Sequence, residues 1–404
     1  MNILLFMSSG LDTPGPSYHL YTALITDLVK YGHHVHLIES HSTGINPDCP
    51  DALKDLPNFT YETIDIDVVA KKAFAKRYLV GVKYCFKARK VFRKQKNFDV
   101  MMIQSCPWAP FAVTFAKRLV RCPVIYNSQD MFPGSSIANG AMPKKWMQTV
   151  FYAFQKVAYR RADHISVISE DMKHKVMEQD VPADKISVIV NWYDDQAVKE
   201  IPWDENLFVK KYSMSRDKFY VQYAGTMGLN FDYKMVIKVA EILKNEENIV
   251  FQMIGQGSQK DDFMKAVEES GLQNIVFLPL EPQEMVPHVY SACSVCLIPL
   301  PYGVIGNSVP SKAGLLMACR RVIVTSADEG SDYNDMFSRE QIGIACSCDD
   351  PEGLAAGIVR LRDNPELREQ YADNAKRYGK QYYSRTVNTA LYEKLYRRIG
   401  SRRG

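Results

Sequence analysis

The sequence predicts an α/β protein made of two doubly wound, Rossmann-like domains facing one another, and three observations carry that reading. Short, continuous apolar runs such as "NILLFM", "HHVHLIES", "FDVMMIQS" and "PVIYNSQD" alternate with segments of helical period, the pattern of parallel strands covered by helices on both faces. A second series, "FYVQYAGT", "NIVFQMIGQG", "NIVFLPL", "CSVCLIPL", "RVIVTS" and "IGIACS", begins near Lys218. Between the two lies a polar stretch, residues 191–217, with Pro202 and little periodicity, and 404 residues exceed the size at which one core keeps growing. The expected division is residues 1–200, joined by a C-terminal helix over about 382–404, and residues 201–381.

Composition bounds the class. The apolar content of 46% is ordinary for a soluble chain, and no stretch approaches the length of a membrane span. The opening "MNILLFMSSGLD" has too short an apolar run, and no basic flank, for a secretory signal, so the expected location is the cytoplasm. Nine cysteines fit that compartment. Cys293, Cys296, Cys346 and Cys348 sit among apolar or small residues without partner His pairs and read as buried thiols rather than metal ligands.

The net charge of +4 conceals an asymmetry. Residues 68–98 hold eleven Lys or Arg and no Asp or Glu, which leaves a net charge of −7 on the rest of the chain. The basic character is one patch.

In doubly wound sheets, ligands bind beyond the carboxyl ends of the strands, so the strand-to-helix loops are where chemistry is expected. After the first strand, "SSGLDTPGPSYHL" offers Gly10 and Gly15 for close backbone approach and Ser17 as a helix cap. It lacks the G-x-G-x-x-G spacing, and only Glu39 closes the second strand with an acid, so a dinucleotide site is weakly indicated. "YAGTMG" places Gly225 and Gly228 around Thr226, and "IGQGS" supplies Gly255 and Gly257; both can present amides to a phosphate or serve as tight turns.

The strongest loop is "IGNSVPSKAGLLMACRRVIVT", residues 305–325. A helix beginning near Pro310 would leave its first N–H groups unpaired and present its positive dipole end. Ser308 and Ser311 add hydroxyls and Lys312 adds a full charge, so a phosphate or diphosphate is the expected guest.

At these residues the chain resembles a family. "YAGTMG", "MIGQGS", "VFLPLEPQEMVPHVYSACSVCLIPL", "VPSKAGLLMACRRVIVT" and "DDPEGLAAGIVRLRDNPELREQYADNAKRY" are similar, in order, to the nucleotide-sugar domain of the retaining family 4 glycosyltransferases of GT-B fold. "VIYNSQDMFPGS", "VISEDM" and "DKISVIVNWYD" resemble the acceptor domain of the branch that builds bacterial surface polysaccharides such as lipopolysaccharide or capsule. "NTALYEKLYRRI" matches the helix that crosses back to the first domain in such folds.

The resemblance implies donor-binding roles for Gly15, Gly225, Thr226, Gly255, Gly257, Leu280, Ser308, Val309, Pro310 and Ser311, and catalytic roles for Asp130, Gln129, Lys312 and Asn307. It also has departures. Where the family commonly carries two glutamates eight residues apart, this chain has Asn307 and Leu315; Asn307 can still hydrogen-bond a sugar hydroxyl, but Leu315 has no group for a ribose. Gln129 stands where many members have His, next to Asp130, and only Lys234 follows the "GT" loop where many place an Arg or Lys for the diphosphate, which shifts weight onto Lys312. Asp130 can orient the donor sugar, accept the acceptor proton, or be a structural cap.

The implied reaction is transfer of a hexosyl group from a nucleotide diphosphate sugar to a hydroxyl of a glycan or lipid-linked acceptor, with the anomeric configuration retained and no cofactor. No divalent metal is expected, because Asp65-Ile66-Asp67 is the single Asp-x-Asp triplet and precedes the basic segment instead of closing a second-domain strand. Phe74, Leu79, Val82, Phe86, Val91 and Phe92 interleave with the basic residues of 70–96, which suits an anionic membrane surface on the cytoplasmic side as well as a solvated face. No recognised nucleic-acid module accompanies the patch. Two other readings stay open: a GT-B nucleotide-sugar epimerase, and a non-catalytic sugar-nucleotide-binding subunit.

Overall fold

The computed structural model of the protein describes residues 1–8, 11, 18–42, 49–69, 73–138 and 140–401, in two compact units. The first comprises Met1–Val190 with Asn388–Gly404, the second Asn191–Val387. The division falls ten residues before the expected 200/201 boundary because the polar stretch is part of the second unit. Tyr193 N donates to Tyr383 O, Arg385 N donates to Tyr193 O, and Asn206 caps the helix Leu207–Lys211 while its amide donates to His288 O. Those bonds fasten residues 191–211 to the second unit.

The first unit holds a seven-stranded, wholly parallel sheet: β1 (Asn2–Phe6), β2 (His34–Ser42), β3 (Phe59–Ile66), β4 (Val100–Gln104), β5 (Val124–Ser128), β6 (His164–Val167) and β7 (Ile186–Val188), in the order β3-β2-β1-β4-β5-β6-β7. The second holds six parallel strands: β8 (Phe219–Ala224), β9 (Ile249–Ile254), β10 (Ile275–Leu278), β11 (Val295–Pro299), β12 (Ile323–Ala327) and β13 (Gly343–Ser347), in the order β10-β9-β8-β11-β12-β13. Strand order reverses next to β1 in one sheet and next to β8 in the other, so each unit has a switch point where loops diverge and open a crevice. The central strands β4, β5, β8 and β11 are buried throughout because helices cover both faces, which is why they read as unbroken apolar runs.

The C-terminal helix Arg385–Gly400 carries the chain back to the first unit, as the resemblance implies. Tyr392, Leu395, Tyr396 and Ile399 recur at helical spacing and are buried there. Tyr396 Oη lies 3.0 Å from Met102 Sδ, and Glu393 pairs with the buried ring of His33 at 3.2 Å.

The basic segment forms the helix Phe74–Lys94. Its inner face is packed: Tyr84, Cys85, Ala88 and Phe92 are buried, and Phe92 meets Phe6 edge-on at 5.1 Å. Phe92 is therefore a core residue, not part of an outer apolar face, because its helical position turns it onto the sheet. Leu79 and Phe86 do face outward. No helix among the described residues is long and apolar enough to cross a membrane.

Candidate functional site

In the second unit the site begins where β8 ends. Gly225 (φ +152°) and Gly255 (φ +149°) both adopt backbone that side chains disfavour, and they meet. Gly225 N donates to Ile254 O (2.9 Å), and Met227 N donates to Gln256 O (2.9 Å). A Cβ on Gly255 would stand 1.9 Å from Gly225 O, and one on Gly257 would stand 2.2 Å from Met227 O. The two glycine loops are thus zipped edge to edge, which only side-chain-free residues permit. Thr226 is exposed at the tip of this pair, and its carbonyl accepts a 2.6 Å hydrogen bond from Tyr223 Oη.

Lys312 approaches the same turn from below. Its Nζ is occluded from solvent, has no hydrogen-bond partner among the described residues, lies 3.5 Å from the centre of the Tyr223 ring, and is 2.8 Å from where a Gly225 Cβ would be. A ring face favours the ammonium form and burial disfavours it. Burial wins here: it pushes the pKa of Lys312 from the ordinary 10.5 down to about 7, with the Cys296 thiol on β11 acting the other way. Burial also holds the Tyr223 phenol well above its usual range, so the ring beneath the amine stays neutral.

The helix after β11 spans Lys312–Ala318, with Ser311 as an N-cap that makes no side-chain cap bond. Pro310 therefore precedes the helix instead of opening it, and a helix this short carries little dipole of its own. Lys312, expected to add its charge to a phosphate site at the helix start, is an amine turned inward under the Gly225 loop.

The loop between β11 and that helix is held from within. Asp328, just past β12, accepts from Gly303 N (2.7 Å) through Oδ1 and from Ile305 N (3.0 Å) through Oδ2. Asn307 is buried, and its amide donates to Gly303 O at 2.8 Å, so this residue braces the loop. Ser308, Val309 and Pro310 are half-buried and Ser311 is exposed. Leu315 packs against the core of the second unit. Leu280, after β10, is exposed, and Lys234 is exposed beyond Asp232, which caps the following helix.

In the first unit the corresponding strand end is β5. Asn127 is fully buried and central: its Oδ1 accepts from Tyr21 Oη (2.8 Å) and Gln129 Nε2 (3.0 Å), while its Nδ2 donates to Ser166 Oγ (2.9 Å) and Tyr392 Oη (2.6 Å). Gln129 N also donates to Ser105 Oγ, so Gln129 is anchored by both main chain and side chain. Asp130 follows it and is exposed. Glu39 is buried and accepts from Leu11 N (2.8 Å) and Tyr61 Oη (2.5 Å), which directs it to the loop after β1. Gly15 lies outside the described residues.

The second unit thus brings Gly225, Thr226, Gly255, Gly257 and Lys312 together at its switch point. Two positions of this arrangement are missed by sequence reasoning: Tyr223, one of 23 tyrosines, and Asp328, which lies 25 residues beyond the Gly303 it holds. Among the described residues no group of three or more His, Cys, Asp or Glu is placed to hold a metal ion. Cys293 and Cys296 are buried thiols 3.2 Å apart.

Comparison with known families agrees with this layout. Residues 21–192 match the glycosyl transferase 4-like domain, and residues 204–378 match the glycosyl transferases group 1 domain. The chain belongs to the family 4 glycosyltransferases. Within this family it is similar to the putative colanic acid biosynthesis glycosyl transferase WcaI of Escherichia coli, 25% identical over 211 residues that cover 52% of this chain and 51% of that protein. The chain therefore matches about half the length of that relative. Among solved structures, sucrose-phosphate synthase from Thermosynechococcus elongatus superposes with a TM-score of 0.77 at 14% identity, covering 99% of this chain and all of that one. Anabaena HepE in complex with UDP-glucose gives 0.70 at 16%, covering 98% and 99%. At these identities the likeness establishes the GT-B fold of the family 4 chain.

Proposed function

We propose that this family 4 protein transfers a hexosyl group, with retention, from a nucleotide diphosphate sugar to a hydroxyl of a glycan or lipid-linked acceptor in surface polysaccharide synthesis. The observation that carries the reading is the Lys312 amine, unpartnered among the described residues, beneath the zipped Gly225 and Gly255 loops. A buried amine without a counter-ion among the described residues, next to backbone with no side chains, calls for an anion that restores its proton. Support for the donor class comes from the relatives: HepE is seen with UDP-glucose, and WcaI is named for colanic acid biosynthesis.

In the proposed reaction the bond between the anomeric carbon and the diphosphate oxygen breaks, and its electron pair leaves on the diphosphate. Lys312, protonated as the anion arrives beside the side-chain-free Gly225 turn, stabilises that developing charge, a role typically worth about 3–4 kcal/mol for one preorganised donor. The acceptor oxygen forms the new bond on the same face of the sugar, and its proton passes to the departing diphosphate. Asp130 orients the sugar or takes part in that proton transfer. Asn307, Ser308, Val309, Pro310 and Ser311 line the sugar-diphosphate end, and Leu280 lies at the nucleotide end. No divalent metal is needed where a lysine carries the charge.

Membrane attachment belongs to the same proposal. The exposed basic residues of the 74–94 helix hold the enzyme at the anionic inner face of the cell membrane, beside lipid-linked acceptors. Incubating the full chain with a panel of nucleotide diphosphate sugars and lipid-linked acceptors, in chelator, tests the whole reading by mass spectrometry of the products. A retained glycoside formed in chelator supports it. An epimerised nucleotide sugar without acceptor, or no turnover of any donor, sinks it.

A further inference from the structure

Exposed apolar surface of the first unit also lies on a helix that the basic segment does not include, Lys145–Arg161. On the 145–161 helix, Trp146 is 66% exposed, Val150 42% and Phe154 38%, at spacings of four that place them along one face. Of the four tryptophans, Trp146 is the exposed one; Trp108, Trp192 and Trp203 are half-buried. This stripe joins the basic helix through a ladder of rings. Phe154 lies 5.9 Å from Phe111, Phe111 lies 6.2 Å from Phe86, and Phe86 lies 5.2 Å from Phe115. Arg89 stacks over Phe86 and Phe115, and Leu79, 61% exposed, extends the apolar surface two turns along the 74–94 helix.

Charge identifies what covers this surface. The helices 74–94, 109–119 and 145–161 carry eight, two and four Lys or Arg, and not one Asp or Glu. A second copy of the chain, docked through the same face, would oppose cation to cation. Nucleic acid would satisfy the charge but leave Trp146, Val150 and Leu79 without an apolar environment. An anionic bilayer interface supplies both, because acyl chains receive the rings while headgroups meet the ammonium and guanidinium ends.

We infer that the 145–161 helix inserts Trp146, Val150 and Phe154 into an anionic bilayer interface, making one docking face with the 74–94 helix. This rests on the membrane reading above, and adds to it an apolar anchor on a second helix.

The test uses the full chain, vesicles of phosphatidylcholine with and without phosphatidylglycerol, and lipids brominated in the acyl chains. Vesicles containing phosphatidylglycerol should shift the tryptophan emission to the blue, and brominated chains should quench it. Trp146→Ser should remove the quenchable component. Val150→Ser with Phe154→Ser should weaken partition about tenfold, measured at a temperature where circular dichroism shows the variant folded, because Phe154 also packs on Phe111. Vesicle binding without quenching, or undiminished binding by these variants, overturns the apolar anchor while leaving charge-driven attachment intact. No binding to any vesicle overturns both. A dimer in solution that Trp146→Ser dissociates also overturns it, because the face would then be a contact between copies.

Discussion

The side-chain nitrogen of Lys312 rests 3.5 Å above the ring of Tyr223, under a glycine that leaves it room and without a hydrogen-bond partner among the described residues. The pairing is a compromise between two states. The ring and an incoming anion both favour the ammonium, whereas burial favours the free amine and lowers the pKa to about 7.

Replacing Lys312 with Met should therefore change stability in a pH-dependent way. Between pH 7 and about 10.4 the unfolded chain holds a proton that the folded chain has released, so wild-type stability rises with pH across that window. Below pH 7 both states are protonated and the full cost of the buried ammonium remains. Lys312→Met should melt higher than wild type at pH 6, by a margin on the order of a few kcal/mol, with the gap closing as pH rises. The same variant should bind inorganic pyrophosphate more weakly than wild type. Melting curves at pH 6 and pH 9, with a pyrophosphate titration, check both; a variant less stable at pH 6 contradicts the burial argument.

Gly255→Ala attacks the zipped loops directly. The added methyl would sit 1.9 Å from Gly225 O, a backbone atom that cannot rotate away, at a φ of +149°. The expected cost is about 2–4 kcal/mol, from strain at both positions. Gly140→Ala is the control: its φ is +74°, but nothing lies within 4 Å of the added carbon. Chemical denaturation of the two variants should separate crowding from backbone strain, with Gly255→Ala clearly the worse.

The sequence makes the two sheets legible because strands buried on both faces are unbroken apolar runs, and the glycine loops legible because close backbone approach needs glycine. The inward turn of Lys312 is not. A lysine after Ser311 reads as a surface charge, and only the position of β8 beside β11 shows that Tyr223 lies beneath it. Asn307 reads as a sugar ligand from its place in the family pattern, while its bond to Gly303 depends on a loop shape set by Asp328. The stripe of Trp146, Val150 and Phe154 has the spacing of a core-facing helix, and periodicity does not say which side meets the sheet.

Asp328→Asn should loosen the loop that leads to Lys312. Each carboxylate oxygen holds one backbone N–H, of Gly303 and of Ile305, and the amide of Asn replaces one acceptor with a donor. The loss should be about 1–3 kcal/mol of stability, the range for one buried donor left unpaired. Because the loop positions Asn307 and Ser308 directly and Lys312 only at its far end, kcat should fall more than binding of pyrophosphate, which is held chiefly by Lys312 beside the Gly225 turn. Equal loss of both measurements would place Asp328 in general folding stability instead of loop positioning.

The basic helix should separate two acceptors. Lys83, Lys90, Arg93 and Lys94 are exposed on the 74–94 helix, and the glycine turn holding Lys312 belongs to the other compact unit. Changing the four to Gln removes charges that attract anionic lipid at roughly 1 kcal/mol each near the surface. Vesicle binding should weaken, and turnover of a membrane-embedded lipid-linked acceptor should fall with it. Turnover of a short, soluble glycan acceptor should stay within about twofold of wild type, because surface substitutions away from packed features cost little. Raising the ionic strength should reproduce the selective loss in the unaltered protein, since the attraction decays over about 8–10 Å at physiological salt. If the four changes depress both acceptors together, these side chains contact the glycan itself, and the helix is part of the acceptor site.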